Sequence, residues 1–408
     1  MLVFIIALVY IIATFAIGII SNRKNKNLSQ FLVAQGQLSL PICAALLMAS
    51  TFAGAYTTGS ARDSYLTGFA PFIPIATLGA SYLIFVPMVK VARALGKEGY
   101  ISVPEVFQVR FGKGVSKVVT IVNCIEYGAL FAVQPIAFST IVAPMLGIDP
   151  VKIVWISAAI LAILAMMGLT GVAWMNAIHC LTMIAGMTIV SIVAMNRAGG
   201  IAHMASVLPA DTWNIFSPDL ASAIAYFVAT LFYSYCASET YTAAMSAKKK
   251  KSAVLSCWII GILVVVFTVF LMMIGISARI ITPNIEDAST VLFTLTSNMG
   301  TIFLILGSIA VLAAIVSSAP AYLIYFSTNI TQIVLAKSDE KFNTEGKKRL
   351  LSTVIILVVA ALGTFLAQKA SSILYLLFNV TTVQSFAGFV LFVGMIWKRV
   401  SKKQLLFQ

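Results

Sequence analysis

Ala314, Ser317 and Ser318 stand in the stretch AAIVSSAP, inside a run from Thr301 to Leu335 that carries no charged side chain. Spaced at i, i+3 and i+4, they share one face of a helix. Two hydroxyl oxygens and a nearby main-chain carbonyl make a hard oxygen set of low charge, which suits a small monovalent cation. A divalent ion asks for several carboxylates. The competing reading is that each serine bonds the carbonyl of the preceding turn, as serines in membrane helices often do. A second group, Asn123, Glu126, Tyr127 and Gln134, recurs at roughly helical spacing on one side of another apolar run. A carboxylate within a membrane helix costs about 2.5–3.5 kcal/mol on insertion scales, so Glu126 is expected to face a cavity or a partner. A substrate amine or hydroxyl, a protein partner and a gating role all stay open for it. No nucleophile with a base at useful spacing appears, and the only histidines are His179 and His203, so an enzyme is not expected.

The elements that must position these residues are set by composition. The chain is 60% hydrophobic and 10% charged, with a mean hydropathy of +1.01, which places it in a lipid bilayer. Runs of about 20 apolar residues, long enough for roughly 30 Å of hydrocarbon, predict about eleven transmembrane helices. They fall near 2–20, 38–60, 70–92, 117–145, 150–168, 174–196, 218–245, 253–278, 301–335, 350–368 and 371–397. The first is read as a retained helix, since no cationic region precedes it and a basic loop follows. Gly and Pro predict interruptions in the second span, at TFAGAYTTGS, and the fourth, at VQPIAFST. Such breaks survive in lipid where freed backbone groups find partners or face a cavity. Pro320 is expected to bend the ninth span just beyond the serine pair.

The net charge of +14 does not imply nucleic acid. Once the spans are drawn, all of the 27 basic residues except Arg62, Lys152, Arg197, Arg279 and Lys369 fall on one side. That asymmetry orients helices, with the amino terminus outside and the carboxyl terminus in the cytoplasm. The five cysteines lie in or beside apolar spans without metal spacing and read as small buried hydrophobes. One membrane domain over 1–408 is expected, acting in the plasma membrane, with a monomer sufficient for function.

Four stretches, taken in order and spacing, carry a resemblance. AIGIISNRKNKNLSQFLVAQGQLSL, MASTFAGAYTTGSARDSYLTG, ISVPEVFQVRFGKG and SSILYLLFNVTTVQSFAGFVLFVGMIWKRV resemble the sodium:solute symporter family, whose members carry proline, glucose, sialic acid and pantothenate. The resemblance implies an all-α LeuT-like fold. A leading helix and cytoplasmic loop over 1–37 would precede two five-helix repeats of inverted topology, 38–196 and 197–397, with a cytoplasmic tail at 398–408. The first helix of each repeat would be unwound at mid-membrane.

The resemblance also implies sites. Backbone carbonyls of Ala49 and Phe52 would join Ala314, Ser317 and Ser318 around one sodium ion. Substrate would bind at the break of the second span, where Thr51, Ala53, Gly54 and Tyr56 stand and small residues let a ligand approach backbone N–H groups. Close helix packing explains the same small residues. The stretch AWMNAIHC resembles a family motif with Asn176 in place of an aspartate and His179 in place of a glutamine, which argues against a second sodium. His179 could otherwise relay protons. YCASETYTAAMSAKKKK departs from its family counterpart, with Glu239 in place of a histidine, so it names no substrate and leaves Glu239 as a gate, a loop contact or a ligand.

The expected function is sodium-coupled import of a small organic solute by alternating access, one sodium per substrate, with an organic acid or amino acid favoured over a sugar. One sodium is energetically enough. A unit charge moving through ~100 mV supplies about 2.3 kcal/mol and a tenfold gradient about 1.4 more, which permits accumulation of several hundredfold. The alternatives are proton coupling through Glu126, Glu239 or His179 in the same fold, and a transporter-like ligand sensor.

Overall fold

The computed structural model describes residues 2–22, 27–216, 219–369 and 373–396. The cations Arg23, Lys24 and Lys26 and the expected tail at 398–408 lie outside them. The described chain is almost wholly helical: α1 (Leu2–Asn22), α2 (Leu28–Val33), α3 (Leu40–Thr51), α4 (Gly54–Thr67), α5 (Phe72–Ile84), α6 (Met88–Lys97), α7 (Val103–Phe111), α8 (Lys113–Leu146) and α9 (Pro150–Ala165). There follow α10 (Gly168–Arg197), α11 (Gly200–Val207), α12 (Leu220–Leu231), α13 (Ser238–Ser246), α14 (Lys250–Ile281), α15 (Val291–Met299), α16 (Thr301–Ser338), α17 (Glu345–Lys369) and α18 (Ile373–Ile396).

Six of the described helices or helix runs are long and apolar enough to cross a membrane, or eight if each bent pair counts as one span. The shorter apolar helices Leu8–Ser21, Pro150–Ala165 and Thr381–Ile396 stand where three further spans were expected. Large apolar side chains such as Leu181, Ile302 and Phe386 are left exposed along them, as they are where lipid rather than water is the solvent.

The breaks do not all fall where Gly and Pro suggested. α8 runs without interruption through Pro135 and α16 through Pro320. Each proline removes a single i to i−4 bond, a loss that a long helix packed on its neighbours absorbs. The second span does part, into α3 and α4 at 50°, and the third divides into α5 and α6 at 61°. The seventh, with neither Gly nor Pro at the point of rupture, divides into α12, a 3-10 turn at Tyr233–Tyr235 and α13. The first helix of each expected repeat is therefore broken, and so is the third span.

α16 lies at the centre, packed on α10, α8, α3 and α4, while α14 closes against α4, α5, α10 and α3. Gly275 makes the α4–α14 contact close, since a Cβ there would sit 2.0 Å from the Ala61 carbonyl oxygen and 2.7 Å from the Tyr65 nitrogen. The VPEVFQVRFG motif anchors the basic end. Glu105 Oε2 accepts from the Ile101 and Ser102 amides at 2.9 Å each and from the Ser102 hydroxyl at 2.8 Å, closing the amino end of α7. Arg110 then reaches the Gly394 carbonyl on α18 through Nε at 2.8 Å.

Main-chain bonds join the two broken spans at this same end. Gly36 N donates to Met245 O (3.0 Å), Leu38 N to Ser246 O (2.8 Å) and Lys248 N to Leu38 O (2.9 Å), with a parallel bridge between Leu38 and Ala247. Arg93 on α6 adds bonds from Nη1 to the Ala244 and Ala247 carbonyls at 2.8 and 2.5 Å.

Candidate functional site

A helix that stops in mid-membrane leaves carbonyls at its carboxyl end without donors. At the first break, the Phe52 amide bonds Met48 O at 2.8 Å, and the Tyr56 and Thr57 amides both turn to Ala53 O at 3.0 Å. Among the described residues, no hydrogen bond reaches the carbonyl oxygens of Ala49 or Phe52. The intervening Ser50 carbonyl accepts the Tyr322 hydroxyl at 2.6 Å, and the Ser50 hydroxyl pairs with Tyr325 at 3.3 Å.

The ninth span runs directly past this break. A Cβ on Gly54 would come within 2.1 Å of Ile315 Cγ1 and 3.2 Å of Gln134 Oε1, so α16 and α8 both press on the first turn of α4. Ser317 and Ser318 thus lie between two points, Ile315 and Tyr322, that touch the break itself. Both serines are buried. Their hydroxyl protons point to the preceding turn, from Ser317 to Ala314 O at 2.9 Å and from Ser318 to Ala314 O at 2.8 Å. That is the bond pattern the plain structural reading of the pair required. It occupies the Ala314 carbonyl and leaves the lone pairs of both hydroxyls unused.

The expected substrate residues of this break are mostly tied into packing. The Thr51 hydroxyl bonds Leu47 O at 2.8 Å and Tyr82 at 2.6 Å. Ala53 and Gly54 are buried, and the Tyr56 hydroxyl meets Thr268 at 3.4 Å. Gln134 donates to Leu130 O at 3.0 Å, and its amide oxygen has no partner.

The second break is satisfied where the first is not. Thr240 donates to Ser234 O (2.6 Å) and Ala237 O (2.7 Å), Tyr241 to Tyr235 O (2.9 Å), and Gln384 on α18 to Cys236 O (3.0 Å). Ser385 accepts the Phe232 amide at 3.2 Å. Beside this mended backbone lie the remaining expected residues. Tyr127 and Tyr233 donate to the two oxygens of Glu239 at 2.6 and 2.8 Å, and Asn123 accepts the Ser238 hydroxyl at 3.1 Å. Glu126 is 1% exposed, and neither carboxyl oxygen has a partner.

Asn176 and His179 stay apart from both breaks in their bonding. His179 Nδ1 meets the Tyr10 hydroxyl of α1 at 2.6 Å, its Nε2 is unpartnered, and both amide atoms of Asn176 are unpartnered. Reasoning from sequence missed Tyr82, Tyr233, Tyr322, Tyr325 and Gln384. A signal existed for two of them, because Ser318, Tyr322 and Tyr325 follow one another at i, i+4 and i+7.

The family model of sodium:solute symporters matches residues 31–406. The chain belongs to the sodium:solute symporter family. It is therefore a multi-pass membrane transporter and not an enzyme, and sodium enters as a co-substrate of transport in the family.

Among solved structures, this symporter superposes on a Na+-coupled sialic acid symporter in a substrate-bound outward-open state, with a TM-score of 0.84 at 17% identity over 98% of this chain and 87% of that one. It is also similar to MhsT in complex with L-phenylalanine (TM-score 0.63, 15% identity, 89% and 93% covered). Mhp1, a nucleobase-cation-symport-1 family transporter with bromovinylhydantoin bound, gives 0.62 at 13% identity over 93% and 83%. At such identities the likeness shows the fold, the LeuT-like arrangement, and not the cargo. Comparison with curated protein sequences returns no match. A manganese transporter of Eremococcus coleocola shares the fold at a TM-score of 0.56, whereas among the described residues of this symporter no cluster of three or more His, Cys, Asp or Glu could hold a metal ion.

Proposed function

We propose that this symporter imports a small organic solute together with one sodium ion, by alternating access across the plasma membrane, with its amino terminus outside. The observation that carries the reading is the contrast between the two breaks. The second has donors on the carbonyls of four consecutive residues, Ser234 to Ala237, while the first leaves Ala49 and Phe52 without one, at a break that Ile315 and Tyr322 of the serine-bearing helix touch. Buried carbonyls without donors are costly, of the order of 1–3 kcal/mol each, unless something electropositive occupies the gap.

A bare sodium ion coordinated by Ala49 O, Phe52 O, Ser317 Oγ and Ser318 Oγ satisfies all four at once. Ala314 O joins the shell when the two serine protons rotate away from it. Because the ligands come from two separate spans, the ion holds the first break against α16. Sodium then stabilises one arrangement of the helices, and substrate that prefers the same arrangement binds more tightly, with the coupling reciprocal.

The test is a sodium titration of the purified protein, read by thermal stability, with potassium at equal ionic strength as the control. Sodium is expected to raise Tm and potassium not to. Ser318→Ala and Ser317→Ala are each expected to shift the sodium midpoint upward about tenfold or more, the loss of roughly 1.4 kcal/mol of ion binding. Equal responses to the two ions, or a sodium midpoint unmoved in both variants, would remove the site.

A further inference from the structure

The pair of carboxyl groups beside the second break is not used by sodium. Glu239 sits in the first turn of α13, with Tyr127 and Tyr233 donating to its two oxygens. The direction of the Tyr127 bond is fixed, because its oxygen already accepts the Ser238 amide at 2.6 Å, so the phenol proton goes to Glu239. Two hydroxyl donors therefore satisfy both Glu239 oxygens from within the protein.

Glu126, next to Tyr127 on α8, is the opposite case. It is 1% exposed, neither oxygen makes a full hydrogen bond, and the donor at hand is the Tyr233 hydroxyl already given to Glu239. Among the described residues, no ion pair joins a lysine or arginine to Glu126 or Glu239. A second polar atom nearby is also unpartnered, the amide oxygen of Gln384, whose nitrogen bonds Cys236 O beside Glu239. The Tyr127 ring lies 6.1 Å from that of Tyr322 and 5.3 Å from that of Tyr325, centroid to centroid.

Two buried acids and a group of tyrosine rings, with no lysine or arginine paired to the acids, form the surroundings in which proteins hold ammonium groups. A proton alone answers the geometry less well. A protonated Glu126 needs an acceptor for its O–H, and the group at hand, the Tyr233 hydroxyl, makes no full hydrogen bond with it. A second sodium fits less well still, since both Glu239 oxygens are committed to tyrosine hydroxyls. An alkylammonium group brings several N–H donors on one positive centre and can serve both Glu126 oxygens together with the Gln384 oxygen.

We infer that the solute carried by this symporter bears a positively charged nitrogen, which Glu126 receives beside Glu239 and the tyrosine rings. The inference rests on the transporter reading above, and it narrows the cargo to amines and amino acids, with quaternary ammonium compounds, which lack N–H donors, held only by charge and the tyrosine rings.

The experiment measures Tm of the purified protein in sodium buffer with glycine, L-alanine, putrescine and choline, each paired with a counterpart lacking the charge: N-acetylglycine, N-acetylalanine, butanediol and dimethylbutanol. At least one charged member is expected to stabilise the protein while its counterpart does not. Glu126→Gln is expected to weaken that response about 30-fold or more in midpoint, because it leaves the ligand charge without its partner. Glu126→Asp keeps the charge and should retain the preference with weaker binding.

The inference is overturned if no charged probe stabilises the protein, if the uncharged counterparts act equally, or if Glu126→Gln responds like the parent. An amine-independent response to pH that Glu126→Gln abolishes also overturns it, in favour of a proton. The sodium response is read on the same samples without probe. Its loss in the parent protein strikes the sodium reading, and its persistence in Glu126→Gln shows an intact fold.

Discussion

The Tyr322 hydroxyl donates to the Ser50 carbonyl at 2.6 Å, joining residues 272 positions apart in the chain. It satisfies one of the two carbonyls, those of Ser50 and Thr51, that lie between Ala49 and Phe52, and it does so from the helix that carries Ser317 and Ser318. Tyr322→Phe is expected to lower stability by about 1 kcal/mol, the net value of one buried bond. It should also raise the sodium midpoint several-fold, because the break is then no longer registered against α16. Titration with sodium by thermal shift reads both. A loss of stability with no change in the sodium midpoint would make the bond a packing feature alone.

Gly275 and Gly59 make a matched pair. A Cβ at 275 meets backbone of α4 at 2.0 Å, whereas one at 59 meets nothing within 4 Å. Gly275→Ala should therefore destabilise the protein by about 1–3 kcal/mol or more, with α4 displaced from α14, while Gly59→Ala should be close to neutral. Comparison of the two melting temperatures in the same detergent checks it. Equal values would mean that α4 and α14 approach less closely than the structure shows.

Arg93 fastens α6 to the last turn of α13 through the Ala244 and Ala247 carbonyls. Arg93→Ala is expected to loosen the basic end and expose the start of α3, where Cys43 lies buried with its sulfur 3.8 Å from the Leu38 carbonyl. The readout is alkylation of Cys43 by a water-soluble maleimide, followed by peptide mass spectrometry. Labelling should be several-fold faster in the variant, and an unchanged rate would show that the main-chain bonds hold this end unaided.

Much of this was legible in the sequence, for identifiable reasons. The apolar runs and their basic flanks set the membrane helices, because lipid leaves a chain few other choices. TFAGAY disclosed the first break through its small residues. The second break was implied by the family resemblance but not by local composition. FYSYCASE holds no helix breaker, and its carbonyls are satisfied by Thr240, Tyr241 and Gln384, of which the first two are near in sequence and the third arrives from α18. Pro135 misled in the other direction, since neighbours stabilise that helix across a single missing bond. Glu126 was visible as a charge in an apolar run. Its isolation was not, because the lack of any partner is a property of three-dimensional surroundings.

The strap between residues 36–38 and 245–248 is built from peptide groups, so it is indifferent to the identity of the flanking side chains. Mutations along this seam can accumulate freely provided the extended backbone survives. A closure of that kind can outlast the drift that leaves similar folds at 13 to 17% identity, and the evolutionary freedom to change cargo is left to the side chains deeper in the protein.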